Sequence, residues 1–238
     1  PDLAKVKVKS TSALQMAIEA ERRGYRICHT RETDVCYREG KVIARARDAR
    51  NFKLVQGDVA DLSEYYDMNL ADVDVVLSRP AMKYNLHFIS ITHILEQLKG
   101  KTLVIDDPAK VRECAEKLLI TRFPDLTPET LISSDPWQIN EFRNTYKDVI
   151  VKPLFGYGGE GIFHIKPESD NLTSLLEMFE KLYHEPVMLQ RYLPEIKQGD
   201  KRILMIDGKA VGTLLRRPVD GNARANVTAG GSAELSVV

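Results

Sequence analysis

The stretch Val149-Ile150-Val151-Lys152-Pro153-Leu154-Phe155-Gly156-Tyr157-Gly158-Gly159-Glu160-Gly161-Ile162-Phe163-His164-Ile165 constrains this chain more than any other. Apolar residues dominate both ends, so each end reads as a buried strand. The glycines between them allow positive φ and bring backbone N–H groups close to an anion. Lys152 stands at the mouth of this loop, where an ammonium neutralises phosphate oxygens as a point charge. A Walker loop would need Gly-Lys-Ser/Thr opening a helix, and a dinucleotide fingerprint also runs from strand into helix. Here the glycines run into a second strand, which describes a hairpin flap closing over phosphates. The stretch alone leaves open a plain hairpin with a mobile tip and a surface lysine.

A chain of 238 residues can bury a sizeable core and divide into two domains. Its 34 Lys and Arg balance 34 Asp and Glu, so a generally basic, nucleic-acid-binding surface is not indicated. No apolar run reaches the roughly 18 residues of a membrane span and no signal-peptide pattern opens the chain. A cytoplasmic protein without membrane or nucleic-acid partners is the expectation. Cys28, Cys36 and Cys114 lack metal spacing and suit free thiols in a reducing compartment. The chain opens on Pro1 and stops at Val238 without a closing helix, and it reads as a fragment.

Thr11 or Ser12 caps a helix that stops near Gly24, and Tyr25 to His29 follows as a strand. A hairpin turning at Glu39-Gly40 is expected over residues 36–45, while residues 48–69 read as loop and short pieces. Val73 to Leu77 is a continuous apolar run, hence a buried parallel strand. A helix over residues 85–98 and a strand from Thr102 to Ile105 complete a doubly wound α/β layer for residues 1–110. A helix from Asp107-Pro108 to about Thr121 leads into the second domain, residues 111–238, and carries Lys117 away from its apolar face. A short strand spans Thr130 to Ser133. A helix from Asp135-Pro136 to about Tyr146 has Gln138 as the reach-back residue of a capping box. Beyond the flap come a helix over residues 171–183, strands over 187–193 and 202–206, an Asp207-Gly208 turn and a return strand over 210–216.

With those elements in place, the chain resembles bacterial-type glutathione synthetase, a member of the ATP-grasp superfamily of amide-forming ligases. The likeness rests on several motifs in family-like order: Glu21-Arg22-Arg23-Gly24-Tyr25, Asp125-Leu126-Thr127-Pro128-Glu129-Thr130-Leu131, Lys152-Pro153-Leu154, Gln190-Arg191-Tyr192-Leu193-Pro194, and Gly199-Asp200-Lys201-Arg202 with Asp207-Gly208. The resemblance implies an N-terminal pre-ATP-grasp domain and an incomplete ATP-grasp domain, with a first strand before Pro1 and several tens of residues after Val238. It also implies a reaction. ATP phosphorylates the cysteinyl carboxylate of γ-glutamylcysteine, and glycine attacks the acylphosphate to release glutathione, ADP and phosphate. Such a transfer brings anions together, so cations and backbone donors must be aimed at the moving phosphoryl group.

The resemblance also implies site residues. Lys117 and Lys152 match the family's nucleotide-phosphate lysines, and Gly156, Tyr157, Gly158 and Gly159 its flap. Gln190, Arg191, Tyr192 and Leu193 match the hinge that offers backbone hydrogen bonds to adenine, and Asp200 falls where a carboxylate takes the ribose hydroxyls. Arg202 and Arg216 are the candidate catalytic and substrate-anchoring cations, with Arg224, Asn226, Gly230 and Gly231 as a substrate loop. Read from the residues alone, Lys117 could be an exposed helix lysine, and Arg216, Arg217 and Arg224 a solvated basic loop. Arg202 lies between apolar strand residues, where an unpaired charge is costly and an anion partner is expected. Ser232 departs from the arginine the family would place there, and the loop from Arg79 to Asn85 is less acidic than its counterpart. Magnesium, with manganese as an alternative, is the implied metal. Its ligands are expected beyond Val238, so no metal ligand is assigned here and residues 1–238 alone are expected to be inactive. The family further implies a homo-oligomer, a tetramer. Another acylphosphate ligase of the superfamily, or a non-catalytic ATP-binding module, are the competing readings.

Overall fold

The computed structural model describes residues 3, 8, 11–80, 84–115, 117–219, 225–226 and 230–237. It forms two compact units, residues 1–115 and 116–238.

In the first unit, α1 (Ser12–Arg22) buries Leu14 and is followed by β1 (Ile27–His29). Strands β2 (Val35–Arg38) and β3 (Lys41–Arg50) form the expected hairpin. Its turn places Glu39 and Gly40 at positive φ, the two-residue geometry that matches strand twist. β3 runs five residues past the expected end and becomes the central strand of an antiparallel sheet. It pairs with β1, β2, β4 (Asp61–Leu62) and β5 (Tyr66–Asn69). The sequence hides this because the buried positions of β3 include Ala44, Ala46 and Ala49, small residues with little strand preference set among arginines.

The α/β character enters through β6 (Val75–Leu77) and β7 (Leu103–Ile105), which pair in parallel across α2 (Leu86–Glu96). Asn85 caps α2 by accepting the Phe88 N–H at 3.0 Å. The parallel pairing is as expected, but Val75 and Leu77 are 44% and 45% exposed rather than buried. The doubly wound layer is thus represented among the described residues by one crossover beside the antiparallel sheet. Val42, Ala44, Leu70, Ile91, Leu95 and Leu98 form the core, with Val76 and Val104 packed against it. α3 (Pro108–Glu113) starts at Asp107 as expected. It does not run to Thr121: Cys114 leaves helical geometry where one unit gives way to the other, and a 3-10 turn, Leu118–Arg122, follows.

The second unit holds β8 (Thr130–Ser133), α4 (Pro136–Tyr146), β9 (Val149–Pro153), β10 (Phe163–Ile165), α5 (Leu172–Leu182) and β11 (Val187–Arg191). The strands form an antiparallel sheet in the order β10-β9-β11-β8. Because side chains alternate along a strand, Val149, Val151, Val187, Leu189 and Ile165 face α4 and α5, where they pack with Ile139, Leu172, Leu175 and Phe179. Register puts Ile150, Lys152, Met188, Gln190, Thr130 and His164 on the opposite face. α4 is capped by Asp135, which accepts the Trp137 N–H. Gln138 does not reach back directly: the Asp135 N–H donates to Ser133 Oγ, and that hydroxyl donates to Gln138 Oε1. A separate antiparallel sheet follows, made of β12 (Asp200–Ile206), β13 (Lys209–Arg217) and β14 (Ser232–Leu235). The expected Asp207-Gly208 turn joins its first two strands.

Candidate functional site

Lys152 stands on the sheet face turned away from the helices, opposite Met188. Its Nζ donates to Gln190 Oε1 at 2.5 Å, Gln190 Nε2 donates to Thr130 Oγ1 at 2.9 Å, and the Thr130 hydroxyl donates to the Pro128 carbonyl at 2.7 Å. This relay fixes the orientation of the buried Gln190 amide. Lys117, half-buried at the start of its 3-10 turn, donates to the carbonyls of Leu154 at 3.3 Å and Gly156 at 2.8 Å. The exposed-helix reading of Lys117 therefore does not hold. Burial, and after it the repulsion of Lys117, pushes the Lys152 ammonium down from 10.5 to about 8. Lys152 has no carboxylate partner among the described residues. Two neighbouring ammonium groups, one of them meeting only a neutral amide oxygen, make a site of positive potential that an anion would relieve.

Between β9 and β10 the loop keeps Gly156, Gly158 and Gly159 at φ +133°, +71° and +84°. No other residue type adopts such a run without strain, and the tip presents Tyr157 to solvent. Lys117 grips the base of this loop. The flap and both lysines are thus one local arrangement within the second unit.

At the hinge, the Gln190 side chain is committed to the Lys152 relay. The Arg191 N–H donates to the Glu129 carbonyl and the Tyr192 N–H to the Asp148 carbonyl, each at 3.0 Å. The Arg191 side chain pairs with Glu129. Leu193 alone of the four keeps a backbone N–H that donates to nothing among the described residues. Asp200, expected at the ribose hydroxyls, and Arg216, expected as a catalytic and substrate-anchoring cation, face each other across β12 and β13 in a two-pronged pair at 2.6 and 2.7 Å.

Arg202 is exposed. Its charge does not carry the burial cost expected of it, because β12 is open to solvent along most of its length. Arg217 is paired with Glu234 and the Gln198 carbonyl, and Ser232 lies opposite it in β14. Gly231 is small for a reason internal to the chain: a Cβ there would sit 2.6 Å from the Ala225 carbonyl and 2.8 Å from that of Arg217. Its neighbour Gly230 has φ +95°, and the Asn226 carbonyl accepts the Gly231 N–H. Arg224 lies outside the described residues.

Three residues on this face escaped sequence reasoning: Thr130, Asp148 and His164. His164 Nε2 meets Asp148 Oδ1 at 2.6 Å, and its ring stacks on Tyr192. The signal available was alternation, which sets His164 on the same side as Ile150 and Lys152 once the register is known. Among the described residues no three His, Cys, Asp or Glu side chains converge on a point. These residues do not make a magnesium site. No helix is long and apolar enough to cross a membrane among the described residues.

Residues 1–112 match the family model for the prokaryotic glutathione synthetase N-terminal domain, and residues 116–238 match that for the prokaryotic glutathione synthetase ATP-grasp domain. The glutathione synthetase of Mesorhizobium japonicum is 42% identical over 232 residues, which cover 98% of this chain and 74% of that protein. That of Brucella melitensis is 42% identical over 234 residues, covering 98% and 75%. The Escherichia coli glutathione synthetase is 38% identical over 237 residues, covering 98% and 74%. Among solved structures, a macrocyclase from Microcystis aeruginosa superposes with a TM-score of 0.53 at 18% identity, over 97% of this chain and 76% of its own. That likeness is one of fold. With both family models matched in chain order and relatives similar along nearly its whole length, the chain belongs to the prokaryotic glutathione synthetase family of ATP-grasp ligases.

Proposed function

We propose that this protein joins γ-glutamylcysteine to glycine in a reaction driven by ATP, and that the second unit holds the nucleotide on the sheet face carrying Lys152. The observation that carries the reading is the pair of neighbouring lysines beneath a glycine loop, with the Lys152 ammonium held at about 8 by burial and repulsion. Polyphosphate supplies the missing negative charge. Lys117 and Lys152 would neutralise its oxygens, and the flap N–H groups would close over them. Leu193 would offer its N–H to the base, and Asp200 would take the ribose hydroxyls with the lone pairs that Arg216 leaves. The cysteinyl carboxylate oxygen then attacks the terminal phosphorus, ADP leaves, and the glycine nitrogen attacks the acyl carbon with loss of phosphate. Arg202 and Arg216 would position the anions of that exchange, with Arg224, Asn226, Gly230 and Gly231 lining the peptide. Magnesium is the family's metal, and no step is assigned to it because the described residues do not fit one.

The test is ADP release by the complete protein with γ-glutamylcysteine and a panel of acceptor amines. Glycine should stimulate release and yield glutathione, and Lys152→Ala should weaken ATP binding or turnover by at least ~10-fold, the scale of one charge-assisted contact. Release stimulated by another amine and not by glycine would overturn the substrate assignment. A Lys152→Ala variant with unchanged ATP affinity and rate would overturn the nucleotide site.

A further inference from the structure

The sheet face that carries Lys152 and Gln190 also carries a second, smaller arrangement. Register sets His164 opposite Ile150, and alternation beyond the end of β11 brings Tyr192 to the same side. Three interactions join them. His164 Nε2 donates to Asp148 Oδ1 at 2.6 Å. The imidazole lies nearly flat on the Tyr192 ring, with 4.0 Å between centroids and 24° between planes. The Tyr192 N–H donates to the Asp148 carbonyl at 3.0 Å. Asp148 therefore grips His164 with its side chain and Tyr192 with its backbone, and the imidazole presses on the ring of the residue so held.

The consequence falls on Leu193. The Arg191 N–H is fixed from the β8 side by Glu129 and the Tyr192 N–H from the β9 side by Asp148. The segment leaves the sheet with two consecutive backbone donors anchored on opposite sides. The Leu193 carbonyl accepts the Ile196 N–H at 3.2 Å, so both neighbours of the Leu193 N–H along the chain are restrained while that donor itself has no partner among the described residues. A lone, oriented backbone donor at a strand end suits an acceptor nitrogen on the edge of a planar heterocycle.

We infer that His164 and Asp148 are positioning residues for the nucleotide base: they clamp Tyr192, and through it aim the Leu193 N–H at a purine ring nitrogen. The inference rests on the nucleotide reading of this unit and goes beyond it by naming what sets the base contact. In this arrangement His164 and Asp148 serve the base while Lys117 and Lys152 serve the phosphates, so their loss should separate base recognition from phosphate recognition. One misaimed hydrogen bond corresponds to about fivefold in affinity.

Two probes make the separation measurable. ADP carries base and phosphates, whereas inorganic tripolyphosphate engages the lysines alone. Calorimetric titration of the His164→Ala protein should show ADP weakened about fivefold relative to the unsubstituted protein, with tripolyphosphate unchanged. Asp148→Asn keeps an oxygen for the imidazole and the same backbone carbonyl, and should retain ADP affinity within about twofold. If His164→Ala does not fold, Tyr192→Leu removes the stack from its other side and carries the same expectation. Equal weakening of both probes would mark the pair as general scaffolding and overturn the proposal, as would ADP binding left unchanged. Unsubstituted protein that bound neither probe would remove the nucleotide reading beneath it.

Discussion

Replacing Lys152 by methionine should stabilise the second unit at neutral pH, against the usual effect of deleting a buried hydrogen-bonding group. The folded protein holds this ammonium at about 8, below the 10.5 of an ordinary lysine. At 1.36 kcal/mol per tenfold change in proton affinity, that displacement corresponds to about 3 kcal/mol of unfavourable free energy in the charged form. Losing the charge-assisted hydrogen bond to the buried Gln190 Oε1 returns about 2 kcal/mol, leaving a net gain of about 1 kcal/mol. The pH dependence is diagnostic. Below about 8 the lysine is charged in both the folded and unfolded chain, and the full cost is present. Between about 8 and 10.5 the folded form binds fewer protons than the unfolded, so stability rises with pH and the advantage of methionine is lost and then reversed. Trp137 is the single tryptophan of the chain and lies in α4, so its fluorescence during urea unfolding reports on this unit. Measured at pH 7, 8.5 and 10, the difference between Lys152→Met and the unsubstituted protein should fall steadily. A variant less stable at pH 7, or a difference flat across the range, would refute the account of the lysine as a strained cation.

The same displacement makes nucleotide binding a proton-linked event: phosphate raises the Lys152 pKa again, so ATP binding near pH 8 should take up about half a proton. Titrations in buffers of different ionisation enthalpy measure it, and no uptake would mean that Lys152 does not face the phosphates. Gly231→Ala should destabilise the second unit by about 2 kcal/mol, because its Cβ would lie 2.6 Å from a backbone oxygen that cannot swing aside. Thermal melts decide it, an unchanged midpoint showing that the close approach is not maintained in solution.

Much of the second unit was legible because its signals are local. Val149 to Val151 is an unbroken apolar run of strand-forming residues, Asp135-Pro136 announces α4, and Asp207-Gly208 fits only a tight turn. What stayed hidden depends on partners distant in sequence. The long β3 strand is stabilised by pairing with four others, so its alanines and arginines gave no warning of it. Arg202 sits among apolar residues in sequence, yet β12 is covered so little that the expected cost of its charge vanishes. Lys117 was expected on a continuing helix, and only the break at Cys114 swings it to the carbonyls at the base of the flap. Gly230 and Gly231 were expected to line a substrate loop; at Gly231 the atoms that approach closely belong to the chain itself, and at Gly230 an added Cβ would meet only Val219 at an ordinary 3.5 Å. The position of His164 beside Tyr192 required register, which a single sequence does not state.

The fork between Asp200 and Arg216 has a kinetic meaning. A free arginine side chain samples many rotamers, and freezing them costs up to about 2 kcal/mol when a ligand must do it. Here the carboxylate has already selected one, so an arriving anion meets a guanidinium whose plane and position are set before the encounter. Asp200 thereby acts as a rotamer lock: it holds the Arg216 guanidinium extended between β12 and β13, so a ligand engaging that arginine in the proposed reaction would not have to freeze it.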